Sequence, residues 1–340
     1  MPSKLAILRS HTLGYSVLEE TKAVAAGDGG TRAKRHVLWR HAAVVHWRTS
    51  RLPPTVRGLM WATGAGFSFS LLNTIMRKLT IDVGAFETQF VRYAMGLLVM
   101  TPLIFRAGVA AYVPNNIAAQ FSRGAVHTVG LLIWFSAIPY ITIADTTAIG
   151  FTTPIFLMLG AAWMFRERMR WERWLAAGIG FAGVLIVVAP KLTGGGGGYA
   201  LVMLASAPVF ALSFLMTKQL TRTERPTVIV VWQSISVALL SLPLALIHWN
   251  WPSASQWLTF AACGCLGSLG HYMLTRSFSV TDISATQSVK FLDLVWATIL
   301  GWIIFGDSPS HSTLIGGVVI FASTLWIAQR EARRVVLPAS

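Results

Sequence analysis

Charged residues and cysteines are scarce in this chain. Only 12% of the residues are charged, whereas soluble domains carry roughly 25%, and 54% are hydrophobic. This composition excludes an ordinary soluble domain, and the mean hydropathy of +0.59 indicates an integral membrane protein. The two cysteines, Cys263 and Cys265, are two positions apart in one predicted helix. They point to different faces, so we expect packing residues rather than a disulfide or metal ligands.

Motifs that would indicate an enzyme are also absent. The chain has no G-x-x-x-x-G-K-[ST] loop, which argues against transport driven by its own ATP hydrolysis, and no H-E-x-x-H zinc motif. Isolated histidines and aspartates do not make a catalytic site. We therefore expect no catalytic residues, no metal site and no cofactor.

Apolar segments of about 20 residues, the length with which a helix crosses a bilayer, recur along the chain. The lipid bilayer is therefore an expected partner. The predicted spans lie near residues 58–77, 86–105, 121–140, 143–165, 172–190, 199–218, 227–247, 256–275, 283–305 and 312–329.

Acidic residues are few, 13 against 28 lysines and arginines, and the net charge of +15 would suggest nucleic acid binding in a soluble protein. Here the basic residues gather on one side of the predicted spans, and only Arg77, Lys78 and Lys191 fall on the other. The positive-inside rule puts the crowded side and both termini in the cytoplasm, at a plasma membrane of the bacterial inner-membrane type. Nucleic acid is then not an expected partner. The crowded side takes Arg40, Arg48, Arg51, Arg57, Arg106, Arg123, Arg166, Arg168, Arg170, Arg173, Lys218, Arg222, Arg225, Arg276, Arg330, Arg333 and Arg334.

An internal repeat organises the sequence. A shift of 140 positions aligns the apolar blocks in a register that holds from Gly58 to Leu325. Each copy has five predicted spans, and because five is odd the second copy must enter the membrane in the opposite direction. We predict an all-α integral membrane protein of ten transmembrane helices, arranged as two inverted five-helix repeats around a midplane site. Identical pairs include Gly58 and Gly198, Lys78 and Lys218, Gly130 and Gly270, Phe151 and Phe291, and Phe165 and Phe305.

The repeat also predicts the domain boundaries. Residues 1–56 form a basic cytoplasmic segment, either disordered or lying on the inner leaflet as an interfacial helix. Residues 57–193 and 199–330 are the two five-helix repeats. The glycine run at 194–198 links them, and residues 331–340 form a cytoplasmic tail.

Two opposite charges fall inside the ninth predicted span. Lys290 and Asp293 are three residues apart and share a helix face with Thr286. Charges within hydrocarbon are costly, so a function is the default hypothesis. A substrate with an ammonium and a carboxylate could compete with this pair, and the alternative is a structural ion pair. The shift places Thr146 and Thr153 at the positions equivalent to Thr286 and Asp293, so we add them to the candidate site.

Four further polar or aromatic residues are candidates for substrate binding or coupling. Arg92 lies within one or two turns of the outer end of span two, where it could contact substrate, snorkel outward or pair with Glu87. His127 and His271 could line a cavity and relay protons, or could be packing residues. Trp134 lies two turns from His127 and could line the same cavity.

Three acidic residues near span ends have structural predictions. Asp145 and Asp282 stand before apolar helices and are expected to be N-caps. Glu167 lies among arginines and is expected to form an interfacial ion pair. Pro154 predicts a break in span four, and its shifted partner Leu294 predicts none in span nine.

Several segments resemble the EamA-type transporters of the drug/metabolite transporter superfamily. They are Phe151–Phe156, Phe165–Glu167 and Trp171–Trp174 in the first copy, and Trp296–Pro309 and Gly316–Gly317 in the second. The resemblance covers residues 57–330. It implies a ten-helix carrier driven by protons or by exchange, frequently an exporter of amino acids or other small metabolites.

Some residues depart from the family pattern. Asp307 stands where a glutamate is usual, Leu294 where a proline is common, and the Lys290–Asp293 pair is not a general family feature. Arg92, by contrast, agrees with the pattern, because the family often has an arginine at this position of its second helix.

Secondary active transport is the function that the sequence predicts. Its expected partners are a small-molecule substrate and protons as a candidate coupling ion. The alternatives are a membrane-embedded sensor or scaffold without transport, and an intramembrane enzyme. The sequence offers no sizeable soluble domain to signal and no catalytic constellation to support either alternative.

Overall fold

Helices make up the regular structure of the described part of the chain. The computed structural model describes residues 52–137, 150, 152–167, 170–188, 197–247, 249–305 and 311–336, and no strand occurs in these ranges. The predicted all-α class is confirmed. The helices are α1 Pro54–Val83, α2 Ala85–Ala107, α3 Ile117–Ala137, α4 Thr153–Phe165, α5 Trp171–Val188, α6 Gly197–Leu220, α7 Pro226–Ala245, α8 Ala254–Val280, α9 Ile283–Lys290, α10 Leu292–Phe305 and α11 His311–Val336, with a short 3-10 helix at Val109–Tyr112.

Within the described ranges, three stretches of helix are both long and apolar enough to cross a membrane by length and composition: Ala85–Ala107, Leu201–Leu220 and Pro226–Ala245. Thr153–Phe165 and Leu314–Ser323 are shorter apolar stretches. Several of the other helices bury polar side chains between helices, among them Ser70 of α1, His127 of α3 and Thr275 of α8.

The ninth predicted span is two helices rather than one. α9 ends at Lys290, Phe291 interrupts it, and α10 begins at Leu292, so the prediction of one continuous helix over 283–305 was wrong. Both pieces pack on α1 and α11, and α9 packs in addition on α4, α5 and α8. Phe291 is buried so close to Gly180 that a Cβ there would lie 2.6 Å from its ring.

The break does not depend on proline. Leu294 stands where Pro154 stands in the first copy, and its presence predicted an unbroken span nine. α4 begins at Thr153 and α10 begins at Leu292, so a helix starts at nearly equivalent positions in both copies. Burial of Phe291 against α5 accompanies the interruption in the second copy, where no proline is present.

The most extensive helix pairings recur when the two copies are exchanged. α1 packs on α8 as α6 packs on α3, α2 packs on α8 as α7 packs on α3, and α1 packs on α10 as α6 packs on α4. The α2–α7 and α5–α11 pairs each join equivalent helices. The core of residues 53–340 therefore lies largely between the copies.

Hydrogen bonds also join the copies at the helix ends. Glu224, after α6, accepts from the backbone N–H groups of Asn115 and Asn116 before α3, at 2.6 and 3.3 Å. Glu87, in the first turn of α2, accepts from the backbone N–H of Asn250 after α7, at 3.0 Å. The Ser277 hydroxyl near the end of α8 donates to the carbonyl of Gly58 in α1, at 2.7 Å.

The cap of α9 differs from its prediction. Asp282 occupies the N-cap position, but its side chain makes no capping hydrogen bond and lies 3.5 Å from Arg173. The carboxylate of Glu167 accepts from the backbone N–H groups of Ile283 and Ser284, both at 3.1 Å. Glu167 therefore caps α9 from the other copy, and its predicted role in an interfacial ion pair gives way to this one. Asp145 lies outside the described residues.

Candidate functional site

Buried polar side chains from both copies meet between α2, α3, α6, α7 and α8. The Tyr93 hydroxyl lies 3.1 Å from Nε2 of His127 and 3.4 Å from Nε2 of His271. The other ring nitrogen of His127, Nδ1, lies 3.1 Å from the Ser213 hydroxyl. Two histidines from different copies thus share one tyrosine hydroxyl.

Arg123 lies beside the histidines and is only 1% exposed. Its Nε donates to the Thr217 hydroxyl at 2.8 Å, and its Nη2 donates to Oε1 of Gln233 at 2.7 Å. Its Nη1 is buried without a hydrogen-bond partner. Sequence reasoning counted Arg123 among the cytoplasmic basic residues, whereas the structure buries it against the second copy.

The orientation of Gln233 follows from Arg123. A guanidinium only donates hydrogen bonds, so the amide oxygen of Gln233 must face it. The amide nitrogen then lies 3.3 Å from Nε2 of His271 and donates to it. An accepting Nε2 means that His271 is neutral in this arrangement, with its proton on Nδ1.

Arg92 is buried rather than snorkelling, and it directly precedes Tyr93 in α2. Its guanidinium carbon lies 4.6 Å from the centre of the Tyr93 ring. A Cβ at Gly267 of α8 would lie 3.1 Å from the guanidinium, so the missing side chain leaves room for it. Glu87, considered as its partner, bonds instead to the backbone of Asn250.

The Lys290–Asp293 pair lies across the break between α9 and α10. Lys290 Nζ donates to Asp293 Oδ2 at 2.9 Å, and the two side chains are 20% and 26% exposed. The ammonium lies 5.6 Å from the ring centre of Phe69, whose ring lies 4.9 Å from that of His271. Phe69 therefore joins the charged pair to the histidine centre.

Of the other predicted site residues, Trp134 is connected to this centre through an aromatic contact, whereas Thr286 and Thr153 belong to other helices. Trp134 packs on Phe210, which packs on His127, at ring separations of 6.2 and 5.5 Å. Thr286 is buried, and its hydroxyl donates to the carbonyl of Ile283 within α9. Thr153 is half-buried at the first residue of α4. Thr146 lies outside the described residues.

The sequence did not identify Tyr93 as the residue that contacts both histidines. Nor did it predict that the site would include Arg123, Gln233, Ser213 and Thr217. A signal existed for Arg123, because Gln120, Arg123 and His127 are spaced by three and four residues and so share one face of α3. The contacts of Gln233 and Ser213 carried no such signal, since they depend on packing between the copies.

The charges of this centre are positive. Arg92 and Arg123 have no carboxylate within ion-pair distance in the described part of the chain, where the ion pairs join Arg170 to Glu172, Arg173 to Asp282 and Lys290 to Asp293. Nor do the described ranges hold a cluster of acidic, histidine and cysteine side chains suited to a metal. A buried guanidinium with an unused donor can bind an anionic or strongly accepting group.

The sequence is similar to curated bacterial transporters. It is 30% identical to a riboflavin transporter of Rhizobium johnstonii, over 84% of this chain and 95% of the relative. It is 25% identical to an S-adenosylmethionine uptake transporter of Rickettsia prowazekii, over 82% and 94%. It is 27% identical to a pseudopaline exporter of Pseudomonas aeruginosa, over 81% and 96%.

A known crystal structure and a family model match most of the chain. The crystal structure has a TM-score of 0.71 and 19% sequence identity, covering 82% of this chain and 98% of the other, and this likeness concerns the fold alone. The model of the EamA-like transporter family matches twice, at residues 56–189 and 197–329. The chain belongs to the EamA-like transporter family.

Proposed function

We propose that this protein is a secondary active transporter that moves small metabolites across the plasma membrane by alternating access. One observation carries the proposal: the buried centre of Arg123, His127, Gln233 and His271 lies between the copies and draws on both. A substrate bound there could be exposed to either side when one copy tilts against the other. Family membership and the transporter relatives make the protein a small-molecule transporter and not an enzyme.

We also propose that the two repeats, residues 57–193 and 199–330, are inverted. The segment before α3 contacts the segment after α6, and the start of α2 contacts the segment after α7. The first contact joins the connection between the second and third helices of the first copy to the connection between the first and second helices of the second copy. The other contact joins the same two connections with the copies exchanged. Such pairing is expected when the copies cross the membrane in opposite directions, and it supports cytoplasmic placement of both termini by the positive-inside rule.

Export of amino acids or other small metabolites is the proposed direction and substrate range, with protons as the coupling ion. The basis for export is the resemblance of the sequence to the family, in which exporters are frequent. The three relatives described above bear the names of an uptake transporter, an exporter and a riboflavin transporter. The two histidines at the centre support proton coupling, because His271 accepts a hydrogen bond at the nitrogen that a proton would occupy.

Metabolite profiling of cells and medium tests the transport proposal. Strains would carry a deletion, the wild-type chain, Gln233→Leu or the matched control Gln219→Leu, whose side chain is exposed on α6. We expect the wild-type chain to redistribute at least one metabolite, Gln233→Leu to abolish the change, and Gln219→Leu to preserve it. A compound that accumulates outside indicates export. Identical profiles with and without the wild-type chain would instead favour the sensor or scaffold alternative.

Accessibility labelling tests the inverted arrangement. In a background with Cys263 and Cys265 changed to serine, single cysteines would replace Ala110 after α2 or Asn250 after α7. We expect a membrane-impermeant maleimide to label only Asn250→Cys from outside intact cells, and to label Ala110→Cys after permeabilisation. Labelling of both from the same side would contradict inverted repeats.

A further inference from the structure

Gln120 and Arg123 leave hydrogen-bonding atoms unused at the same face of α3. Gln120 is fully buried, and neither its Nε2 nor its Oε1 has a hydrogen-bond partner. Arg123, three residues further on, leaves its buried Nη1 unpartnered. Unsatisfied buried polar groups cost free energy and are rare in proteins, so two on adjacent turns of one helix face require an explanation.

The net charge beside these atoms is positive and unbalanced. Arg123 bonds only to the neutral side chains of Thr217 and Gln233. Each buried carboxylate in the described ranges has a partner elsewhere: Glu87 on Asn250, Glu172 on Arg170 and Glu224 on Asn115. A cation without a counter-ion is expensive in a membrane interior, and in membrane proteins such residues commonly mark a substrate path.

We propose that Arg123 and Gln120 form an oxyanion subsite, so that the transported molecule is a small organic acid or phosphate ester. This inference rests on the proposed transport function and names the class of substrate. Arg123 Nη1 and Gln120 Nε2 donate to the oxyanion, and the anion neutralises the guanidinium. Gln120 Oε1 accepts from a hydroxyl or amine of the same molecule.

The neighbouring side chains suit the rest of such a molecule. His127, one turn beyond Arg123, packs against Phe210 and Phe214 with ring centres 5.5 and 6.2 Å away. The anionic end would lie at Arg123 and an apolar or aromatic portion would lie along these rings. Binding at Nη1 leaves the Nη2 bond to Gln233 intact, so the substrate need not displace the link to His271.

Substitutions on α3 test the subsite in the full-length protein. The deletion strain would carry wild type, Arg123→Gln, Arg123→Lys, Gln120→Leu or the control Arg106→Gln, which alters an exposed arginine at the end of α2. We expect every metabolite redistributed by the wild-type chain to carry a carboxylate or phosphate. Loss of a buried charged partner should reduce flux by about 30-fold or more in Arg123→Gln. Gln120→Leu should reduce flux by about tenfold, as expected for a hydrogen bond to a charged group. Arg123→Lys should retain part of the flux, and Arg106→Gln all of it.

Proteoliposome flux distinguishes the two sources of an oxyanion. Each identified metabolite would be compared with its amide, if it is a carboxylate, or with its dephosphorylated form, if it is a phosphate ester. We expect the neutral form to be transported at least about tenfold more slowly by wild type and equally slowly by Arg123→Gln. If the amide is transported more slowly than its parent acid, a carboxylate occupies the subsite. If the dephosphorylated molecule is transported more slowly than its parent ester, a phosphate occupies it.

The outcomes separate this inference from the transport proposal. If the wild-type chain redistributes nothing, the transport proposal fails. If it redistributes neutral or cationic molecules, or if folded Arg123→Gln carries normal flux, transport stands and the subsite is wrong. Size-exclusion profile and Tm in detergent report folding, and if Arg123→Gln does not fold, Gln120→Leu and Arg123→Lys decide by the same flux criterion.

Discussion

The Lys290–Asp293 pair and the centre around Arg123 lie on either side of Phe69 and balance their charge differently. Lys290 has its counter-ion at 2.9 Å within the next helical turn. Arg123 has only neutral acceptors, with Arg92 and two histidines nearby. A balanced pair needs no ligand to persist, whereas an unbalanced cation gains free energy when an anion binds. The difference favours a structural or gating role for the pair and a binding role for the Arg123 centre.

The two regions are adjacent, so they need not act independently. Phe69 of α1 contacts the Lys290 ammonium with its face and the His271 ring at its edge. The Ser70 hydroxyl next to it donates to the backbone carbonyl of Asp293 at 3.2 Å. Movement of α1 would therefore displace both regions together.

The sharpest contrast is expected from Arg123→Met, which removes charge at nearly constant volume. Transport should fall by about 30-fold or more, because the anion loses its charged partner. Stability should change little, because removing an unneutralised buried cation offsets the bonds lost by Thr217 and Gln233. Flux in proteoliposomes and Tm in detergent measure the two effects. A large drop in Tm with residual flux would mean that Arg123 is structural.

The opposite result is expected at the charged pair. Lys290→Met leaves Asp293 without its counter-ion and should destabilise the protein by about 2 kcal/mol, while the double variant Lys290→Met, Asp293→Leu should recover most of that loss. Tm values of the wild type, both single variants and the double variant give the coupling. If the double variant is as unstable as the single variants, Lys290 and Asp293 do not stabilise the protein by neutralising each other's charge. Flux through the double variant then reports whether the charges take part in transport.

Two glycines test how closely helices approach each region. A Cβ on Gly66 of α1 would collide with a carboxylate oxygen of Asp293, whereas one on Gly267 would lie 3.1 Å from the Arg92 guanidinium. Gly66→Ala should therefore lower stability by about 1–3 kcal/mol, as overpacking does, and Gly267→Ala by less because a flexible arginine can shift. Gly66→Ala should be milder in an Asp293→Ser background. Equal costs in the two backgrounds would show that the crowding lies elsewhere.

The sequence predicted those features of the site that a single helix determines. Lys290 and Asp293 share a face by spacing alone, and their pairing is observed. The composition likewise predicted the helical class, and the resemblance of segments such as Phe151–Phe156 and Trp171–Trp174 predicted the family. Arg92, His127 and His271 were recognised as polar residues inside spans, and the structure places all three at one centre.

Features that depend on contact between the copies could not be read from spacing. Arg123 lies near the end of a predicted span, where an arginine normally faces the interface, and only the packing of α3 on α6 and α7 shows that it is buried. The break at Phe291 has no proline or glycine beside it and accompanies packing against Gly180. Asp282 satisfies the sequence rule for an N-cap, yet a carboxylate from the other copy makes the bonds.

The smallest effect is expected at the N-terminus of α9, where Glu167 rather than Asp282 makes the capping hydrogen bonds. Glu167 accepts from two backbone N–H groups at the start of α9, and a carboxylate there also interacts favourably with the helix dipole. Glu167→Gln should lower stability by about 1 kcal/mol, since one acceptor remains but the charge is lost. Asp282→Asn is the matched control and should cost a few tenths of a kcal/mol, because its side chain is 57% exposed and only its 3.5 Å contact with Arg173 is lost. The Tm of each variant decides the order. A larger loss in Asp282→Asn would return the cap to Asp282, whereas the expected order means that the first copy fixes the start of the helix that carries Lys290.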